Sequence, residues 1–267
     1  MKMLVAALAA LLVAAPALAN PLLPRADLWP RWQRSGTGAP VDYGEWAAFL
    51  ARYRSVGADG VARIAYGKVT STDRARLDAF VRRLEAAPVD RMTRTEQLAY
   101  WINLYNAATV RLVIDRYPVT TIRKIDGGLL DLGPWNRPLL KVAGATLTLN
   151  DIEHRIIRPI HADARIHFAV NCASIGCPDL AAEPYVAARL DDQLDAAARA
   201  FVNHPRGLRL EKGRLVGSSI FNWYAVDFGG PRGVLPILRQ YANQKTILLL
   251  QGRATIDRFS YDWTLND

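Results

Sequence analysis

The sequence predicts an α+β fold in which a central buried helix packs on a small, mostly antiparallel sheet. Three observations point there. Residues 95–116 follow a helical pattern with Leu98, Trp101, Ile102, Tyr105 and Leu112 on one face and Ala99, Ala107, Val110 and Ile114 on the other. A helix apolar all round is a buried one. Two hairpin signals, across 139–149 and around Glu211-Lys212-Gly213, supply local antiparallel strands. No internal repeat and no low-complexity linker interrupts the chain, which favours a single core.

The elements follow in order. Asp42 can cap a helix carrying Trp46, Phe49, Leu50 and Tyr53, ended by the glycines at 57 and 60. Residues 61–66 alternate like a short strand, and 71–86 place Leu77, Phe80, Val81 and Leu84 on one helical face. The long helix begins near Thr95 and stops at Tyr117-Pro118. Beyond the first hairpin come a helix over 150–157, a buried strand over 165–171 and a helix over 183–202. The second hairpin, two more helices and a terminal strand ending near Trp263 complete the chain.

Residues 1–19 read as a secretory signal peptide: Lys2, a short apolar run, then Ala17-Leu18-Ala19 before Asn20. The apolar run is short for a membrane span and Pro16 interrupts it, so the mature chain is expected to begin at Asn20, to carry no membrane span and to be periplasmic or secreted. Residues 20–90 form an N-terminal helical extension packed on a core domain over 91–267. A hydrophobic content of 51% suffices for a sizeable core. The net charge of +9 is spread over helical faces beside acidic residues, a solvated-face pattern, and nucleic acid is not an expected partner. No phosphate loop, dinucleotide fingerprint or zinc-protease motif is present, so no cofactor is expected.

The chemistry concentrates in His167-Phe-Ala-Val-Asn-Cys-Ala-Ser-Ile-Gly-Cys-Pro178, which holds both cysteines of the chain. Three uses are open. Cys172 can be a nucleophile with His167 as its base and Glu96 or Asn103 orienting the imidazole. Cys172 and Cys177 can instead form a disulfide, since the compartment is oxidising and the cysteine count is even; so small a loop would add about 2 kcal/mol. Zinc binding by His167 and both cysteines lacks the usual ligand spacing, and no metal is expected. On the buried helix, Glu96, Asn103 and Asn106 need partners. Thr93-Arg94-Thr95-Glu96 also fits a capping box, and the asparagines can tie down loops. His154 reads as a packed or surface histidine, His161 and His204 as solvent-facing, and Asp227 as a loop brace.

Glu96-x-x-Ala99-x-Trp101-Ile102-Asn103-x-Tyr105-Asn106-Ala107, Leu149-x-Asp151-Ile152-Glu153-His154 and His167-Phe168-Ala169-x-Asn171-Cys172 with Cys177-Pro178 form an ordered set of motifs. Trp223-Tyr224-x-x-Asp227-Phe228 and Tyr261-Asp262-Trp263-x-Leu265-Asn266 extend it. Together they resemble the family catalogued as domain of unknown function 547. The resemblance implies family roles for Glu96, Asn103, Asn106 and His167 but no activity.

The expectation is therefore a papain-like or transglutaminase-like layout and a thiol hydrolase or acyltransferase acting on amide bonds of peptide or envelope material. Asn106 and Asn171 are further binding candidates. The alternative is a noncatalytic binding domain whose Cys172–Cys177 bridge stiffens a loop facing an unidentified peptide or envelope ligand.

Overall fold

Helix α3, Arg94–Arg116, is covered on every side, and each residue from 97 to 110 is buried. Its start is fixed by a capping box: the Thr93 side chain accepts from the Glu96 amide while the Glu96 carboxylate accepts from the Thr93 amide. The computed structural model describes residues 25–126 and 133–267; the expected signal peptide and the Asn20 start lie outside them. Among the described residues no helix is long and apolar enough to cross a membrane.

Ahead of α3, α1 (Gly44–Tyr53) and α2 (Ser71–Glu85) flank a hairpin of β1 (Arg54–Val56) and β2 (Ala62–Ile64). Trp46 stacks on Phe49 and Phe80, tying α1 to α2, and α2 packs along α3. The next hairpin pairs β3 (Leu140–Val142) with β4 (Ala145–Leu147). Ala143 and Gly144 both take positive φ between these strands, the turn geometry that matches strand twist. The second predicted hairpin, β5 (Leu208–Glu211) with β6 (Arg214–Ser218), turns the same way through Lys212 and Gly213. Strand β7 (Arg258–Ser260) joins β6 in parallel. The class is α+β, with its strands in three small sheets.

Residues 151–157 form a π-helical segment, Asp151–Ile157, running into α4 (Arg158–His161). The predicted strand over 165–171 is instead a 3₁₀ helix, Ala164–Phe168. Asp163 caps it by accepting from the Arg165 amide, and the Arg165 guanidinium then bridges Asp163, Asp191 and Asp195. A short apolar run buried all round has no period that separates strand from helix. Helix α5 is Leu190–Val202, shorter than predicted. Around Pro184 the chain is held extended, with Gln193 bonding the Val186 amide and the Pro184 carbonyl. Helices α6 (Ile220–Trp223), α7 (Val234–Tyr241) and α8 (Gln244–Leu250) complete the second half.

Two apolar clusters result. One surrounds α3 and takes in α1, α2 and the β3–β4 hairpin; the other gathers Phe168, Phe201, Phe221 and Phe228 with α7. The 167–178 segment crosses between them, and the C-terminal segment of residues 262–266 lies against it, with one isolated bridge between Ser174 and Leu265. Ile175 and Gly176 donate to Thr264 and Asp262, and Asn266 donates to Ala173. A Cβ on Gly176 would sit 2.7 Å from the Asp262 nitrogen, so only glycine allows this approach.

His161 and His204 are both half-buried. His204 bonds the Asp59 carbonyl. Burial, reinforced by Arg94, pushes the His161 imidazole down to about 4. A group whose folded pKa lies below its unfolded value binds fewer protons when folded, so stability is whole above pH 6.5 and falls as pH drops toward 4. The expected loss is about 2–3 kcal/mol. Urea denaturation at pH 7 and pH 4.5, repeated on His161→Phe, checks this; an equal loss in the variant would exclude His161 as its source.

Candidate active site

The cysteine turn is held by side chains that fasten its backbone. Asn106 on α3 donates to the Ala169 carbonyl at 2.9 Å and accepts from the Asn171 amide at 2.8 Å. Asn171 in turn accepts from the Ala173 amide and donates to the Pro178 carbonyl, closing the loop on itself. From outside, Arg206 donates to the carbonyls of Ile175 and Cys177 and pairs with Asp179. These bonds put the two sulfurs face to face.

Cys172 and Cys177 are free thiols, 2.7 Å apart, and the Cys172 amide donates to the Cys177 sulfur at 2.9 Å. No covalent bond joins the two sulfurs in this structure. Cys172 is half-buried, and its sulfur also meets the Tyr261 hydroxyl at 3.1 Å and the Ser174 hydroxyl at 3.3 Å. The hydrogen bond from Cys177, with those from Ser174 and Tyr261, outweighs burial and holds the Cys172 thiol below the usual range. Burial raises Cys177 well above it. The two sulfurs are thus unequal, and the more accessible one is the more acidic.

His167 is buried and stacked on Tyr224, with ring centroids 4.1 Å apart. Its Nε2 lies 2.7 Å from Asp227 Oδ2, and its Nδ1 has no hydrogen-bond partner among the described residues. Asp227 also receives a two-point contact from Arg158, Nε at 2.6 Å and Nη2 at 3.2 Å. Burial would raise the Asp227 carboxyl, but the bonds from His167 and Arg158 prevail and carry it down to about 2. A carboxylate at Nε2 fixes the N–H there and leaves Nδ1 to accept or donate a proton.

The π-helical segment adds two consecutive side chains, Glu153 and His154, to the same region, a common use of π geometry. His154 Nδ1 accepts from Arg158 at 3.1 Å, which sets the neutral ring with its proton on Nε2. Burial lowers its pKa and keeps it neutral.

These groups share one cavity of about 450 Å³, lined by His167, Cys172, Cys177, Glu153 and His154 and walled by aromatic rings. Of the residues singled out from sequence, His167, Cys172 and Cys177 therefore come together. Glu96 and Asn103 do not line the cavity. Glu96 remains at its cap and also accepts from the Ala39 amide at 3.1 Å. Asn103 exchanges two hydrogen bonds with the Tyr185 backbone. Both satisfy backbone groups that would otherwise be orphaned, and the carboxylate that meets His167 is Asp227. Asn106 and Asn171 act behind the site, on backbone. Glu153, His154 and Tyr261 were not legible as site residues, although each stands in one of the ordered motifs. Among the described residues, no group of three His, Cys, Asp or Glu side chains is placed to hold a metal ion.

Fold and site together define an α+β protein with a paired thiol and a carboxylate-anchored imidazole on one aromatic cavity. Residues 89–202 match the family model described as Protein of unknown function, DUF547. The matched segment contains α3, the π-helical segment, His167 and both cysteines, while Asp227 and Tyr261 lie beyond it. No curated protein and no solved structure matches the chain.

Proposed function

We propose that this protein is an exported thiol hydrolase or acyltransferase acting on amide bonds of peptide or envelope material, with Cys172 as nucleophile. The observation that carries the reading is His167: one nitrogen anchored by Asp227, the other buried without a partner, on the cavity that Cys172 also lines. A buried polar atom left unpaired in an otherwise satisfied site is a place for a reacting group. Export rests on the character of residues 1–19.

In this mechanism the Cys172 thiolate attacks the carbonyl carbon. The C–N bond then breaks as His167 Nδ1–H protonates the leaving nitrogen, and an acyl thioester remains on Cys172. Water, or an acceptor amine, attacks the thioester while Nδ1 takes its proton, and the thiolate departs ready for another cycle. The Cys172 sulfur bonds Cys177, Ser174 and Tyr261 and not His167, so the substrate's leaving nitrogen is what bridges the two groups. The Tyr261 hydroxyl, in contact with the sulfur, steadies the thiolate between turnovers.

Incubation of the purified protein with p-nitrophenyl acetate, followed by peptide mass spectrometry, tests the proposal. An acetyl group on Cys172, absent in Cys172→Ser, is expected. No acetylation, or acetylation on Cys177 alone, would leave the cavity as a binding site without thiol chemistry.

A further inference from the structure

The cavity holds a carboxylate that the mechanism does not use. Glu153 is 6% exposed and lines the cavity, while no lysine or arginine among the described residues forms a salt bridge with it. Its polar neighbours among the described residues include the Tyr224 hydroxyl and His154, whose Nδ1 stands 3.9 Å away. His154 supplies no charge, because Arg158 already donates to that nitrogen, and the Arg158 charge is itself matched by the Asp227 carboxylate. A buried carboxylate without a counter-ion is costly unless a cation arrives to meet it.

The walls suit such a cation. Trp135, Trp223, Trp263, Tyr105, Tyr224 and Tyr261 all line the cavity. Trp263 gathers three of the others, with centroids 4.6 Å from Tyr261 and 5.7 Å from both Trp223 and Trp135. Aromatic faces attract ammonium groups, most strongly where water is excluded. Two such ring faces already carry guanidinium groups, Arg158 over Tyr224 at 5.0 Å and Arg123 over Trp263 at 5.4 Å. The sign is also local: the chain as a whole is formally +9, yet this cavity carries an acidic group beside its thiol.

We infer that the cavity selects molecules bearing a positively charged amino group, with Glu153 as the counter-charge and the aromatic walls as the seat of the alkyl body. This names the substrate class of the proposed thiol site and rests on that reading for its chemistry, though the binding itself does not need the thiol. The acyl or amine portion beside the scissile amide carries the ammonium, and Glu153 acts as a specificity residue that takes no part in bond breaking.

The test uses the full chain carrying Cys172→Ser, so that no acyl chemistry intervenes. Cyclohexylammonium and its neutral counterpart cyclohexanol are titrated at constant ionic strength, with tryptophan fluorescence as the readout. The ammonium is expected to bind at least about tenfold more tightly, a difference of about 1.4 kcal/mol. Adding Glu153→Gln, which keeps shape and removes charge, is expected to bring it down to the affinity of the alcohol. Equal affinities in the Cys172→Ser protein, or no binding of the ammonium, would overturn the inference, and so would retention of the preference in Glu153→Gln. The ligand comparison in the parent protein stands even if the double variant fails to fold. Loss of ammonium preference with Cys172 acetylation intact removes only this inference, whereas preference without acetylation removes only the thiol chemistry.

Discussion

His167→Gln lowers the turnover of p-nitrophenyl acetate by about 10²–10⁴-fold, the range expected for losing a positioned general acid–base group. Glutamine can still donate to Asp227, so the anchoring bond at 2.7 Å has a substitute and the Arg158–Asp227 pair keeps its surroundings. What disappears is Nδ1, the only part of the ring without a partner in the described structure. The loss falls on deacylation most, because water must be deprotonated there, so acetyl-Cys172 accumulates in the variant. Added imidazole restores part of the rate if the cavity admits it. Unchanged turnover in a folded His167→Gln protein would remove the imidazole from the mechanism.

Arg158→Met destabilises the protein by about 3 kcal/mol, the low end of the range for breaking a buried ion pair by removing one partner. The low end applies because the Arg158 side chain is 2% exposed but that of Asp227 is 20% exposed. Methionine fills much of the volume, so the loss comes from the Asp227 carboxylate and from His154, which loses the donor on its Nδ1. The effect carries a pH signature. Asp227 is held down to about 2, below its unfolded value near 3.8, so the stability it contributes is present above pH 4 and is lost as pH falls toward 2. The advantage of the natural protein over the variant, measured by urea denaturation, is therefore full at neutral pH and narrows in acid. An advantage independent of pH would assign the loss to packing.

The parts of this structure that were legible in the sequence are those specified locally. Helix α3 announces itself through apolar residues on all sides and a capping box, and both hairpins through turns that need two positive φ values. His167 and Cys172 stood out because they sit in one short segment. The element carrying His167 was misread, since a buried run such as Ile166-His167-Phe168-Ala169-Val170 has no periodicity to separate strand from 3₁₀ helix. Glu96 and Asn103 were misplaced for a different reason. Burial shows that a polar side chain has a partner, but not whether that partner is another side chain or the backbone of Ala39 and Tyr185. The groups that complete the site were hidden by distance along the chain. Asp227 is 60 residues from His167 and Tyr261 is 89 from Cys172, and their pairing exists only in the folded molecule.

The central claim is that Cys172 is an activated thiol on this cavity while Cys177 is its buried support, and the rate of alkylation by iodoacetamide as a function of pH tests it most directly. In the reduced protein Cys172 is expected to react first, with a rate that rises at lower pH than that of a simple thiol measured alongside, because its hydrogen bonds favour the thiolate. Cys177 stays unlabelled over the same range. A Cys172 that titrates with or above the simple thiol, or a Cys177 that reacts first, would contradict the account.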